Sequence, residues 1–417
     1  MGGTPKGMKK SELTLTQALD GLPLVHKHLR GAASAIFGIA VRAGSADEGN
    51  ADHGLAHFVE HTIFKGTRRR SAWHIINRME AVGGELNAYT TKEATVVYTV
   101  FPAGSTSRAV ELVADLALNS RFPASELDKE REVVVDEIRS YLDSPADAVY
   151  DDFDDLIFAG NPLGHNILGE VKSVRRLGSN DCRRFLDTYY RRGNMVAFYS
   201  GPRTPETVAG TVARYFAELP AQAAERRPVL PAPMAREPFD IVKKLPLHQC
   251  HTVSGAIAPP MGHPARMAWS LFANIIGGQG MNSLLNVELR ERRGLVYNVE
   301  ASPTFYSNTG LLTVYFGCDA DDYELCRRLC HDTFCRLADS GLTPRALAAA
   351  KKQFAGQRAI ACENNENHTL AAARNVLFLG TLPDESALAD TLAAVTADDL
   401  RAIAAAMLAS SSLTFRR

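Results

Sequence analysis

The sequence predicts an α+β protein made of two homologous domains, each a mixed β-sheet with helices packed on one face. Three observations lead there. Between Leu219 and Pro238 the chain is broken by Pro220, Pro228, Pro231, Pro233 and Pro238 among alanines and arginines, a composition that holds neither a helix nor a central strand. Landmarks on either side of this break repeat at a constant offset of 215 residues, pairing Phe101 with Phe316 and Leu127 with Leu342. Around those landmarks, apolar residues alternate with a strand period and then recur with a helical one.

Taken in order, the first half carries Gly84-Glu85-Leu86-Asn87-Ala88-Tyr89 ahead of a strand over 95–101, followed by helices over 107–118 and 125–142. The second half carries Gly294-Leu295-Val296-Tyr297 ahead of a strand over 310–316, followed by helices over 322–337 and 343–362. The expected organisation is a domain over 1–218, a linker over 219–238 and a second domain over 239–417. Two domains of about 200 residues each lie within the usual size range.

Composition narrows the function classes. The chain is 46% hydrophobic and 22% charged, which suits a soluble globular protein. Its 46 basic and 47 acidic residues leave a net charge of −1, so no bulk electrostatic attraction to nucleic acid is expected. No run approaches the ~18 consecutive apolar residues of a membrane span. Met1 to Leu13 carries lysines with no apolar run behind them, unlike a secretory signal. Seven cysteines at irregular spacing read as reduced thiols of a cytoplasmic protein. Three of them, Cys326, Cys330 and Cys335, flank His331 without the paired Cys-x-x-Cys spacing of zinc sites, and read as small hydrophobes of a helix.

The segment His57-Phe58-Val59-Glu60-His61 carries the chemistry. Residues four apart share a helix face, so both imidazoles can point at one ion, and Glu60 can approach the same place. Two imidazoles and a carboxylate, with a position left to water, are the minimal catalytic zinc site. The order His-x-x-Glu-His is the inverted form of the commoner zinc-peptidase motif. A third protein ligand is still needed. Glu130 and Glu137, seven apart on the helix over 125–142, offer two carboxylates on one face, either of which can serve as a ligand with the other orienting it; Val133, Val134 and Ile138 are its expected apolar contacts. A solvated helix with Lys129, Arg131 and Arg139 as ion-pair partners is the bland alternative. The duplication offers an internal control. Adding the offset to Glu130 and Glu137 lands on Arg345 and Lys352, and residues 265–276 hold no histidine or glutamate. Only the first copy is armed, which favours function over packing.

The set His57-Phe58-Val59-Glu60-His61, Phe64-Lys65-Gly66-Thr67, Leu86-Asn87-Ala88-Tyr89-Thr90 and Glu137 resembles the pitrilysin/insulinase family of inverted zincins, in particular its compact two-domain branch. The resemblance extends over residues 15–410. In that family the third ligand lies 76 positions after the last histidine of the motif, as Glu137 lies after His61. The resemblance therefore implies His57, His61 and Glu137 as ligands of one zinc ion per chain, Glu60 as general base and Glu130 as a supporting carboxylate. In the second half, Gly277-Gly278-Gln279-Gly280-Met281-Asn282-Ser283 resembles the family's glycine-rich loop, and Arg290 and Tyr297 match its Arg/Tyr pair, implying substrate binding, with the tyrosine hydroxyl placed to stabilise an oxyanion.

What the resemblance implies is a zinc endopeptidase acting on unfolded peptides or presequence-like segments, with its two domains closing like a clamshell. Asn87 and Ala88, at the start of an expected edge strand, would pair with an extended peptide by β-addition. A homodimer, or a heterodimer with a related subunit, is the expected assembly. The alternative is a non-catalytic or partner-dependent subunit of a hetero-oligomeric peptidase, against which the intact His-x-x-Glu-His motif speaks.

Overall fold

The structure is a computed structural model that describes residues 13–221 and 237–416. The N-terminal lysines and most of the expected linker over 219–238 lie outside the described residues. The chain opens with strands β1 (Leu13–Leu19), β2 (Leu22–His28) and β3 (Ser34–Val41), then helices α1 (Leu55–Thr62) and α2 (Ala72–Glu80). Strands β4 (Glu85–Thr90) and β5 (Thr95–Pro102) precede α3 (Thr106–Asn119), α4 (Ala124–Leu142), α5 (Pro145–Ile157), α6 (Val171–Val174) and α7 (Ser179–Tyr189). Strand β6 (Met195–Gly201) and α8 (Pro205–Tyr215) complete the first half.

The second half runs β7 (Asp240–Lys244), β8 (Gln249–Ala258), α9 (Arg266–Gly277), a π-helical turn at Asn286–Glu291, β9 (Val296–Phe305) and β10 (Gly310–Asp319). Helices α10 (Tyr323–Ser340), α11 (Pro344–Glu363), α12 (Asn365–Leu379), α13 (Glu385–Ala394) and α14 (Ala397–Leu408) lead to the last strand, β11 (Ser411–Arg416). Each strand and helix read from the sequence is present within a few residues of its expected ends.

The duplication is explicit in the strand order. The first sheet runs β1-β2-β6-β3-β5-β4 and the second β7-β11-β8-β10-β9. Strand β2 is parallel to β6 as β7 is to β11, and every other neighbouring pair is antiparallel. The two sheets therefore match strand for strand, with β1 added at one edge of the first.

By contacts the chain forms two compact units. One comprises the described residues up to Asp136, those from Ile167 to 221, and Ala361–Glu385; the other comprises Glu137–Asn166, residues 237 to Ile360, and Ser386 to 416. One helix from each half thus packs with the sheet of the other half. In the first sheet, Phe37 meets Phe216 at the end of α8, with ring centroids 6.4 Å apart. Residues of opposite parity (Val25, Ile36, Ala40, Val96, Val196 and Phe198) form one core with Ala372, Ala373, Val376 and Leu377 of α12. Successive strand residues face opposite sides, so α12 covers the face that α8 leaves open.

The second sheet repeats the arrangement with α5. Cys250 and Ala256 of β8 join the core shared with α10 and α14. Gly255, of opposite parity, lies against Phe153 of α5; a Cβ at Gly255 would come within 2.8 Å of that ring. The sequence expectation of helices on one face thus describes what each half supplies to its own sheet. The second face is filled from the other half. Exposing the α12-covered core residues would cost on the order of 1–3 kcal/mol apiece, so the exchanged helix is integral to its unit.

Candidate metal centre

Helix α1 is short and mostly buried, with Leu55, Ala56, Phe58 and Val59 all at 4% exposure or less. Its entry is fixed in two ways. Gly54 has φ +92°, a left-handed conformation that favours glycine, and a Cβ there would lie 2.6 Å from the Leu168 carbonyl oxygen. The free N–H groups of Gly54 and Ala56 donate to the two oxygens of the Glu48 carboxyl, at 2.8 and 2.7 Å. Glu48 is buried, and burial pushes its carboxyl up to about 8 against the downward pull of those two N–H groups.

The motif then unfolds along the helix as its spacing predicts. The rings of His57 and His61 lie 4.6 Å apart between centroids. His57 is buried, and burial, followed by the neighbouring His61, pushes its imidazole down to about 3. It is therefore neutral and in the form that binds a metal. Glu60 is half-buried, and after burial itself its charge is a further cause that raises the phenol of the buried Tyr190 above the ordinary range.

Helix α4 brings the carboxylates. Leu127, Val134, Val135 and Ile138 are buried, leaving Glu130 and Glu137 at the partly exposed margin. Val133, expected as a contact residue, is 50% exposed; it stands beside the stripe formed by Leu127, Val134 and Ile138, and Val135 takes its part. The division between the units falls between Asp136 and Glu137, inside the unbroken helix. Glu137 therefore stands two turns beyond Glu130 on the same rod. His57, His61 and Glu137 each offer a ligand atom, and these atoms lie within 4.8 Å of one another. With zinc–ligand bonds of ~2.0–2.2 Å, modest side-chain rotations close such a set around one ion. Two imidazoles and a carboxylate are a donor set that suits zinc.

Glu130 takes a supporting place. Its Oε2 lies 3.3 Å from Nδ1 of His61 and its Oε1 accepts from Lys65 Nζ at 2.6 Å. One ring nitrogen of His61 is thereby engaged and the ring orientation set. The Phe64-Lys65-Gly66-Thr67 segment gains its meaning here. Lys65 anchors Glu130, Gly66 turns with φ +148°, and the Thr67 hydroxyl donates to the buried Asp115 of α3 at 2.8 Å. Asn119 and Arg70 also donate to Asp115.

Asn87 and Ala88 lie on β4, the edge strand of the first sheet, paired on their inner side with Tyr98 and Val97 of β5. Helix α1 packs against this strand. Arg290 sits in the π-helical turn and Tyr297 near the start of β9, itself an edge strand; both are exposed, Tyr297 at 87%. The positions equivalent to the acidic ligands, Arg345 and Lys352, fall on α11. Cys326 and Cys330 are buried in the core, as small hydrophobes would be, and all seven cysteines are unbridged. Sequence reasoning missed Glu48, Tyr190 and Asp115, because a buried acid or phenol far from a motif carries no local signature.

Two imidazoles of the buried helix α1 and a carboxylate of α4 thus converge where they could hold a metal ion, and α1 lies against the edge strand β4. Residues 24–171 match the model of the insulinase family (peptidase family M16), and residues 176–354 match that of the peptidase M16 inactive domain. An uncharacterized zinc protease of Streptomyces coelicolor is 31% identical over 389 residues, covering 92% of this chain and 84% of that protein. One of Mycobacterium tuberculosis strain H37Rv is 32% identical over 392 residues, covering 93% and 89%. Among solved structures, a peptidase M16 inactive domain from Pseudomonas fluorescens is similar in fold, with TM-score 0.88, 19% identity and 97% coverage of both chains. A protease from Helicobacter pylori matches with TM-score 0.88 and 18% identity, over 98% of this chain and 100% of that one. The chain belongs to peptidase family M16, the insulinase family. No helix among the described residues is long and apolar enough to cross a membrane.

Proposed function

We propose that the protein is a zinc endopeptidase that hydrolyses extended, unfolded peptides or presequence-like segments, with His57, His61 and Glu137 as ligands of one zinc ion. The observation that carries this reading is the convergence of those three side chains, with Glu130 holding the far nitrogen of His61. When bound, zinc would supply a water acidified toward a pKa of ~7 and a Lewis acid for the peptide carbonyl. Glu60 would accept a proton from the attacking water and deliver it to the departing amine. The free edge of β4 at Asn87 and Ala88 pairs with the substrate backbone, which selects extended chains with little demand on side chains. Arg290 and Tyr297 hold the substrate, and the Tyr297 hydroxyl donates to the developing oxyanion. Seven unbridged thiols suit the cytoplasm, and we assign the protein there as a homodimer or a heterodimer with a related chain.

The test is cleavage of a broad mixture of unstructured peptides by wild type, by Glu60→Gln and by chelated protein, with metal content measured on each. Cleavage by wild type alone, with Glu60→Gln holding zinc but slowed by ~10²–10⁴-fold, supports the proposal. A wild type that binds no metal overturns it. Stoichiometric zinc without cleavage would replace it with a subunit that works only beside a partner.

A further inference from the structure

A second group of metal-binding side chains lies elsewhere in the first unit. Cys362 is at the end of α11, His368 is in the first turn of α12, and Glu385 is the first residue of α13. Each offers one ligand atom, and the three atoms lie within 4.8 Å of one another. The turn between α11 and α12 is itself fixed, since the Asn364 side chain accepts from the Asn367 N–H at 3.0 Å.

The floor of the group is β2. Lys27 shares the strand parity of Val25 and so faces α12. It is buried, with Nζ 2.9 Å from Nδ1 of His368. One nitrogen of the His368 ring is thus engaged. The other, Nε2, is buried and has no hydrogen-bond partner among the described residues. A buried polar nitrogen left unsatisfied is unfavourable, so native structures rarely keep one unless a ligand, ion or water meets it.

We propose that Cys362, His368 and Glu385 bind a second divalent metal ion of the zinc class, through thiolate, imidazole and carboxylate. A thiolate beside an imidazole selects zinc or cobalt over magnesium or calcium. The three ligands come from three successive helices, at the two ends of the segment Ala361–Glu385 that the second half contributes to the first unit. An ion there would fasten both ends of that segment around α12, the helix that covers the sheet, which is a structural task. The Lys27 ammonium is the competing cation, because it lies against the same imidazole. Removing its charge favours the metal.

The test is titration of the full chain with cobalt(II). The peptidase site contains no sulfur, so a thiolate-to-cobalt charge-transfer band in the near ultraviolet reports the second site alone. Wild type should show the band and hold two metal equivalents per chain. Cys362→Ser should lose the band and one equivalent, while His57→Ala/His61→Ala should lose one equivalent and keep the band. Lys27→Met should bind cobalt more tightly at the band-forming site. A wild type with one equivalent and no band overturns the proposal, as does a band that survives in Cys362→Ser. Should the double histidine variant not fold, the comparison of wild type with Cys362→Ser decides alone. This inference is independent of peptidase activity, and either can fail without the other.

Discussion

Oε2 of Glu130 lies 3.3 Å from Nδ1 of His61, the last histidine of the motif, while its other oxygen is held by Lys65. If His61 binds the metal as proposed, Glu130 would act on it through the ligand it orients. Replacing it with glutamine should lower zinc affinity by ~10–100-fold and leave the fold intact, as losses of such outer partners do. Competition with a zinc chelator measures this; unchanged affinity would show that His61 is oriented without it.

Glu48 holds the helix rather than the metal. Glu48→Gln leaves one of the N–H groups of Gly54 and Ala56 facing an amide NH₂, and should destabilise the protein by ~1–3 kcal/mol. The carboxyl is raised from 4.5 in the unfolded reference to about 8 in the folded protein. The folded state therefore binds its proton more tightly, and the associated stabilisation is full below 4.5 and lost as pH rises through about 8. The gap between wild type and Glu48→Gln in urea unfolding should narrow over that window. A pH-independent gap would show that the carboxyl does not titrate there.

Gly54 is required twice over, by its left-handed backbone and by the Leu168 carbonyl against it. Gly54→Ala should destabilise by ~1–3 kcal/mol and weaken zinc binding through a displaced α1. Thermal unfolding with metal analysis tests both; a variant with wild-type stability would mean that the turn tolerates a Cβ.

Asp115 ties the Lys65-Gly66-Thr67 turn to α3. Asp115→Ala strips Thr67 and Asn119 of their acceptor and removes one partner of Arg70. Arg70 retains Glu111 at 2.7 Å, so the expected loss is about 3 kcal/mol, the low end for breaking a buried pair. Denaturant unfolding gives the number, and a loss below ~1 kcal/mol would show the network to be redundant.

Much of this site was legible in the sequence. The spacing of His57, Glu60 and His61 dictated one helix face, and the duplication singled out Glu130 and Glu137 by what replaces them in the second copy. The resemblance then chose between the two carboxylates. Less was legible where contacts are non-local. Nothing in the sequence distinguishes Glu48, folded onto a helix end, from any solvated acid. Helices α5 and α12 were not read from the sequence at all, and although each carries buried residues, no local pattern could say which sheet would receive them.

That reciprocal placement of α5 and α12 has a consequence for the handling of the molecule. Each half carries a helix that closes the sheet of the other half, as partners do in a domain swap, here within one chain. Residues on the N-terminal side of the proline-rich break contribute to both units, and so do those on the C-terminal side. A protease that nicks the chain between 221 and 237 should therefore release nothing under native conditions, and two separately expressed halves should each be insoluble yet recover a folded protein when refolded together.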